Sequence, residues 1–536
     1  MPNRTIYLED ETTVIGDGAA DDMAALRAIV QTSGSGSGRG EIVCKRGATY
    51  RLVSNASIPD KGLALRNVRF VLNGAALHYE CDGDCYGTRM GSNAILEGPG
   101  LVKTIVSTNV FLAWPTSTWH APISAGYAYK DPDRGVPGNL GALFTIRNWQ
   151  VKGLTVENLR TTENSVVMGI IGDVADGLIE DIEFPDSAVM GGALGFDWSW
   201  AGLPDTTASI AAMRTSFDAG ALYSVHPHNI EARRLKIGRF TRPKVNGAGG
   251  LGVRLSGCRD ISIGDVEVAE TTYAGFFNTA GDAGWEFAPD PEKMHAARGI
   301  KVSRFNVRKA TTGWGCFVDW YGDNIAHAMA NFGYQNILSP TYRTNIEIDS
   351  FSTFGPENAT AEDGFYTHHM IGGTFRNIRV RGHKRGVSLA NGTDQLRVQG
   401  GEVIFSQHDG ITIGDNDRPE DCTVEGVWVF GNGMNHPVGN PSGIHDVNSH
   451  RTRIIRNITG IEGETRQLFG VRTNPATLNA QVIGNHCRAV KSGGAAVVIG
   501  GTDVPGTCAV YRDNTAAPGI ITYAGSSVRP PPYIGA

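Results

Sequence analysis

The sequence predicts an all-β fold: a parallel β-helix (solenoid) with an N-terminal capping helix and several loop insertions. Three observations predict it. A glycine followed by an apolar residue and a free position recurs at Gly252-Val253-Arg254, Gly275-Phe276-Phe277, Gly315-Cys316-Phe317, Gly364-Phe365-Tyr366, Gly386-Val387-Ser388, Gly410-Ile411-Thr412, Gly443-Ile444-His445 and Gly470-Val471-Arg472. Where nothing is inserted the copies return about every 22 to 25 residues, the spacing of short strands coiling one turn per repeat. Runs of the Ile-x-Ile or Val-x-Val kind follow each glycine, and such alternation marks a strand with one buried face. Glycine makes up 70 of 536 residues, about twice the usual share, while charged residues are sparse at 19%.

Residues 1–52 form an N-terminal capping module. Thr13 to Gly18 reads as a strand and turn. Asp21 to Val30 reads as a short amphipathic helix with its acidic residues at the positive N-terminal end. Ser33 to Gly40 is a Gly/Ser loop. Its GxGxxG-like spacing follows a helix instead of a strand, so a dinucleotide reading fails its own context test. Glu41 to Lys45 and Thr49 to Val53 are the first strands. Residues 53–515 are the β-helix, with insertions at 106–140, 200–225, 281–298, 321–343 and 431–442. A solenoid places such insertions on its flanks, where they wall a binding face. Residues 516–536 are an extended tail, because Arg529-Pro-Pro-Pro-Tyr533 cannot continue a ladder. The helix covers the front end of the coil. The tail or a neighbouring subunit covers the back, since open ends would be sticky edges.

Other readings are narrowed by composition. No run of 18 apolar residues exists, so no membrane span is expected. The net charge of -6 argues against a general nucleic-acid binder, and the basic stretch Arg376 to Arg385 reads as a solvated turn. The eight cysteines form no CxxC pair of pairs, so a zinc site is not predicted. Cys81 and Cys85 bracket Asp-Gly-Asp and could form a small local disulfide. Cys258, Cys316, Cys422, Cys487 and Cys508 fall in or beside strands and read as buried free thiols. His226 and His228 could share a strand face, whereas adjacent His368 and His369 point opposite ways. No third ligand is evident, and Asp415-Asn416-Asp417 lacks the rest of a calcium loop. No metal or other cofactor is expected.

The repeat supplies a register. Adjacent coils stack about 4.8 Å apart. Side chains two residues after each glycine therefore form one outward column. With Gly195 included, it reads Asp197, Arg254, Phe277, Phe317, Tyr366, Ser388, Thr412, His445, Arg472. Four residues on, the column reads Ser199, Ser256, Thr279, Asp319, His368, Ala390. Trp198, Trp200, Trp285, Trp314 and Trp320 flank these columns. Such a mixture suits sugar binding: rings such as Phe277, Phe317, Trp198, Trp200, Trp285 and Trp320 pack on apolar sugar faces, and polar groups fix hydroxyls. The alternative is that the insertions cover Phe277 and Phe317 and that the tryptophans anchor those loops.

Two reaction schemes fit the same columns. Glycoside hydrolysis needs two carboxyl groups, and Asp319 has candidate partners in Glu286 and Asp282, while Asp197 could pair with Asp205 or Asp218. A lyase needs a base for the proton α to a uronate carboxylate and a cation for the resulting enolate. Arg254, Tyr366 and His368 could fill those roles, with Asp319 orienting His368 from the neighbouring coil. A register slip of two residues would exchange the columns, and a slip of one would turn them inward.

The opening motif carries a family resemblance. Gly16-Asp17-Gly18, Asp21-Asp22-Met23-Ala24-Ala25-Leu26, Gly40-Glu41-Ile42-Val43 and Gly47-Ala48-Thr49-Tyr50-Arg51-Leu52 resemble the start of pectate-lyase-like right-handed β-helix proteins. Met23 stands where that family usually has threonine, and Lys45-Arg46 where a proline is common. The superfamily includes phage tailspikes and polysaccharide lyases and hydrolases. The resemblance implies a right-handed coil and a tailspike-like protein that binds and depolymerises a bacterial surface polysaccharide. It also implies a homotrimer, associated with other virion tail proteins. The first residues, Met1 to Tyr7, show no apolar h-region and no cleavage site. Either a signal peptide has been removed or the protein leaves the cell without one, as in a virion released by lysis. Both place it outside the cell. A secreted bacterial lyase, hydrolase or epimerase and a non-catalytic glycan-binding adhesin remain the rival readings.

Overall fold

The repeat glycine has a steric cause. In the computed structural model, a Cβ added at Gly364, Gly386 or Gly410 would lie 2.2, 2.1 or 2.4 Å from a Cγ1 of Val380, Val403 or Val429. Each valine belongs to a strand of one stack, and each glycine immediately precedes a short strand of the stack facing it. Only a residue without a side chain lets the two strands approach this closely. The structure describes the chain apart from residues 1–4, 37, 55–61, 82–85, 107–120, 127–144, 160–165, 198, 202–222, 244–248, 280–297, 320–344, 357–360, 369, 391, 416–417, 435–439, 501–509 and 525–536. It is a right-handed parallel β-helix, as the repeat and the opening motif predict.

The chain divides into two compact units. The first comprises Met1–Thr272, Thr279–Ile300 and Asp323–Ile337. Its helix, Met23–Ser33, buries Met23, Leu26 and Val30 and packs against Gly40–Val43, Thr49–Ser54 and Leu63–Leu65. The acidic residues at its start are used locally: Asp22 accepts from Ile15 N (2.7 Å) and Gly16 N (3.1 Å), and Asp21 from Met23 N (3.0 Å). Short strands Leu63–Leu65, Tyr86–Met90, Ala121–Gly126, Val166–Ile171, Gly192–Asp197 and Leu251–Ser256 stack in parallel. Long strands Ile95–Val106, Trp149–Asn158, Ala175–Phe184, His228–Phe240 and Arg259–Thr271 form a second stack. The chain bends on single residues with positive φ just before a strand of this second stack or at its second residue, including Asn67, Asn93, Asn148, Asp176, Asn229 and Asp260. Asn and Asp tolerate this conformation because their short side chains bond locally. Here they also bond between coils: Asn93 donates to Asn67 at 3.0 Å and Asn148 to Asn93 at 2.9 Å.

The second unit comprises Tyr273–Asn278, Lys301–Gly322 and Leu338–Ala536. Its short strands are Ala274–Thr279, Trp314–Asp319, Phe365–His368, Val387–Ala390, Ile411–Ile413, Ser442–Asp446, Phe469–Thr473, Ala495–Ile499 and Ile521–Ala524, each parallel to the next. An aromatic ladder fills part of its interior. Phe305 stacks on Phe351 at 4.9 Å between ring centroids, and Phe365 meets Phe351 edge-on at 4.9 Å. Further along, buried Asn457, Asn485 and Asn514 form an amide ladder, with Asn457 donating to Asn485 and Asn485 to Asn514.

Several expectations need correction. The 106–140 insertion contains a coil strand, Ala121–Gly126, whose six residues are all buried and therefore lack the alternation that marks a half-buried strand. The 200–225 insertion begins and ends as an antiparallel pair, Ser199–Ala201 with Tyr223–Val225. The ladder runs on into the 516–536 tail through Ile521–Ala524, and Arg529 to Tyr533 lie outside the described residues. Arg376 to Arg385 is not simply a turn, because Ile371–Arg381 is a strand. Cys258, Cys316, Cys422 and Cys487 are buried free thiols, and so is Cys44. The Cys81–Cys85 pair and Cys508 lie outside the described side chains. No described helix is long and apolar enough to cross a membrane.

The steric origin of the repeat predicts a contrast. Gly386→Ala forces a methyl group against Val403 and against Gly410 O at 2.5 Å, so it should destabilise the protein by about 1–3 kcal/mol. Gly36→Ala, where a Cβ would meet nothing within 4 Å, should stay within about 0.5 kcal/mol of the parent. Denaturation midpoints at constant slope would read both.

Candidate functional site

In the second unit, the strand register places the outward column directly. Phe277 lies opposite Phe317, Phe317 opposite Tyr366, Tyr366 opposite Ser388, Ser388 opposite Thr412, Thr412 opposite His445 and His445 opposite Arg472. Residues on either side of this column, such as Phe276, Val318, Phe365 and Ile444, are buried in the coil interior. Two positions on, Asp319 lies opposite His368, with Asp319 Oδ1 3.2 Å from His368 Nδ1. Asp319 is buried, and His368 is partly exposed. A carboxylate accepts the Nδ1 proton, which leaves the basic lone pair of a neutral imidazole on Nε2.

The aromatic residues form a stack along the coils. Phe277 and Phe317 are 4.8 Å apart and nearly parallel, and Phe317 and Tyr366 are 5.4 Å apart at 18°. Trp314 tilts against Phe317 at 4.7 Å and against Tyr366 at 6.2 Å. The rings give their faces to one another. Phe317 is held between two neighbours, so it cannot also offer a face to a pyranose, and the column presents ring edges as an apolar wall.

The first unit requires a correction to the register. Asp197 lies opposite Ser256, and Arg254 opposite Gly195. Gly195 is therefore not a repeat glycine: Ala193 faces Gly252, and a small side chain suffices there. Asp197 moves by two positions, into register with Ser256 instead of Arg254. The two side chains still meet, with Arg254 Nη2 3.6 Å from Asp197 Oδ2. Asp197 and Arg254 belong to the first unit, whereas Phe277, Phe317, Asp319, Tyr366 and His368 belong to the second. Trp198, Trp285, Glu286 and Trp320 lie outside the described residues, as do Asp205, Asp218, Asp282 and His369, and only the backbone of Trp200 is described.

Sequence reasoning missed a charged group beside Tyr366. Asp363 and Arg385 are the residues immediately before two repeat glycines. Arg385 Nε lies 3.1 Å from both Asp363 carboxylate oxygens, Arg385 Nη2 is 3.0 Å from Oδ2, and Arg385 N donates to Oδ1 at 3.2 Å. Asp363 is buried, and Arg385 keeps about a fifth of its side chain exposed. Burial works against the guanidinium charge, but the facing Asp363 carboxylate more than offsets it, so Arg385 stays protonated. The Tyr366 phenol is pushed up to about 12, first by burial and then by the nearby negative charge of Asp363, with Arg385 opposing. Asp319 and Asp415 also bear on this phenol. A base pair (Asp319–His368), a protonated phenol and an anchored cation thus sit on neighbouring coils. The signal that could have found Arg385 was the position preceding the repeat glycine, where Asp363, Arg385 and Asp409 succeed one another.

His226 is a structural histidine: burial pulls it down to about 3, and its Nδ1 lies 2.8 Å from Gly257 O. Among the described residues, no three His, Cys, Asp or Glu side chains converge as a metal site would require.

No family model matches the chain, and no curated protein matches it. Solved structures do. The A-module of a mannuronan C-5 epimerase, AlgE6, from Azotobacter vinelandii is 12% identical, covering 96% of this chain and 99% of that one with a TM-score of 0.47. Tailspike protein 3 of bacteriophage CBA120 is 11% identical, covering 98% and 62%, with a TM-score of 0.46. A tailspike protein of E. coli bacteriophage HK620, in complex with a pentasaccharide, is 12% identical, covering 97% and 78%, with a TM-score of 0.45.

The ion pair behind Tyr366 makes a prediction. Asp363→Ala leaves the Arg385 charge without its buried partner and should cost about 3–5 kcal/mol. The double replacement Asp363→Leu with Arg385→Met should recover most of that loss, as chemical denaturation would show.

Proposed function

We propose that the chain binds and depolymerises a bacterial surface polysaccharide, with the second unit's outward columns as the site and β-elimination as the chemistry. The observation that carries this reading is the 3.2 Å contact between Asp319 and His368, next to Tyr366 and the Asp363-held Arg385. Asp319 fixes the imidazole. His368 Nε2 takes the proton α to a uronate carboxylate. The electron pair of that C–H bond forms a carbon–carbon double bond, and the glycosidic C–O bond on the adjacent carbon breaks. Tyr366, held protonated, supplies the proton to the departing oxygen. Arg385 offsets the charge that gathers on the uronate carboxylate as the proton leaves. This role passes to Arg385 from Arg254, which belongs to the first unit. Phe277, Phe317 and Trp314 wall the groove. Assembly as a homotrimer and attachment to other virion tail proteins belong to the same proposal, as does action outside the cell.

Hydrolysis is the second reading, because Asp319 and Asp415 both supply carboxyl groups near Tyr366. Incubation with bacterial capsular and lipopolysaccharide glycans separates the two. New reducing ends with new ultraviolet absorbance mean elimination, and reducing ends alone mean hydrolysis. Bound glycan without either product would replace the enzyme with an adhesin. In the same assay, Asp319→Asn and His368→Ala should each reduce cleavage by about 100-fold or more while leaving folding and glycan binding nearly intact. Full activity in both variants would sink the site.

A further inference from the structure

The outward column continues past Tyr366 into a cluster that cleavage does not use. His445 lies two coils beyond Ser388, and Arg472 one coil further. At about 4.8 Å per coil, His445 is roughly 14 Å and Arg472 roughly 19 Å along the column from Tyr366. Both His445 nitrogens face oxygen acceptors: Nδ1 is 2.9 Å from Asp409 Oδ2, and Nε2 is 3.1 Å from Asn474 Oδ1. Two acceptors favour the doubly protonated ring. Burial opposes the charge, yet the Asp409 contact raises the histidine above its ordinary value. The other Asp409 oxygen is committed to Ser442 N at 2.6 Å.

Arg472 therefore has no carboxylate to itself. Its guanidinium lies over the Phe469 ring, 5.9 Å from the centroid, and forms no ion pair among the described residues. Asp446, on the same strand as His445, is buried and spends its oxygens on Ser449 and Thr477. The Asp409 carboxylate is thus committed to His445 and Ser442, and the partly exposed Arg472 guanidinium carries a charge that no described carboxylate pairs. Between this cluster and Tyr366, the hydroxyls of Ser388 and Thr412 are buried and without hydrogen-bond partners among the described residues.

We propose that Arg472, positioned with His445, forms a second anion-binding subsite that reads an acidic substituent, a carboxylate or a phosphate, on a sugar several units from the cleaved bond. The inference rests on the proposed glycan groove and adds to it a charge requirement away from the reacting centre. A guanidinium forks onto carboxylate and phosphate oxygens alike, so both sources satisfy the same chemistry.

The test uses the full chain carrying Asp319→Asn, which keeps the probe intact. Calorimetric titration compares polygalacturonate oligosaccharides, the same oligosaccharides after carboxyl reduction, and a poly(glycerol phosphate) polymer. Arg472→Gln should weaken binding of at least one anionic probe about tenfold or more, reduce its salt dependence, and leave the reduced oligosaccharide unchanged. Arg472→Lys should keep most of the affinity. An Arg472-dependent response to the uronate alone identifies a carboxylate, and one to the glycerol phosphate alone identifies a phosphate. Equal binding of every probe by Arg472→Gln and its parent, or no binding of either anionic probe by the parent, overturns the subsite. Failure of the cleavage reading appears separately, as full turnover by Asp319→Asn.

Discussion

The absence of a side chain at one position in each coil from Gly252 to Gly470 governs this part of the architecture. Gly364, Gly386 and Gly410 let a short strand close onto the valine of the long strand facing it. With the glycine held there, the strand that follows it lies in register with the strands of the neighbouring coils. Side chains two and four residues after the glycine then have fixed directions, so residues dozens of positions apart in sequence become neighbours. Asp319 and His368 are such a pair: they are separated by 49 residues and meet at 3.2 Å. The site follows from packing inside the coil before any loop contributes to it.

The candidate site orders its groups by column. The position before the glycine carries charge, with Asp363 beneath Arg385. The position two after it carries the ring ladder and the Tyr366 phenol. The position four after it carries the Asp319–His368 pair. The proposed base, acid and cation therefore come from different columns of adjacent coils, and each has a partner of its own. Asp319 orients His368, and Asp363 holds Arg385. Burial with nearby negative charge keeps Tyr366 protonated. Preorganisation of this kind would cost the proposed reaction no rearrangement when charge develops.

Much of this was legible in the sequence, for a physical reason. A glycine enforced by sterics recurs in each coil from Gly252 to Gly470, so its spacing reveals both fold and register. The same reasoning failed where the constraint was looser. At Ala193 a methyl group fits, the glycine signal disappears, and Gly195 two residues later imitates it, displacing Asp197 from its column. Ala121–Gly126 escaped notice because all six residues are buried and no alternation remains. The ring ladder was visible as Phe277, Phe317 and Tyr366, but not its consequence, that stacked rings deny their faces to a sugar. Arg385 went unseen because it sits before the glycine instead of after it, and a single arginine in a basic stretch resembles any solvated charge. Asn67, Asn93 and Asn148 mark a corner of the coil, a regularity evident only once their positive φ values are known.

The most direct test of this account is the crystal structure of the Asp319→Asn protein with a bound oligosaccharide that the parent cleaves. The sugar chain should lie along the column from Phe277 to Tyr366, with the scissile linkage within hydrogen-bonding reach of His368 and Tyr366 and an acidic group on Arg385. A chain bound on another face, or one crossing this column with its linkage remote from His368, would contradict it.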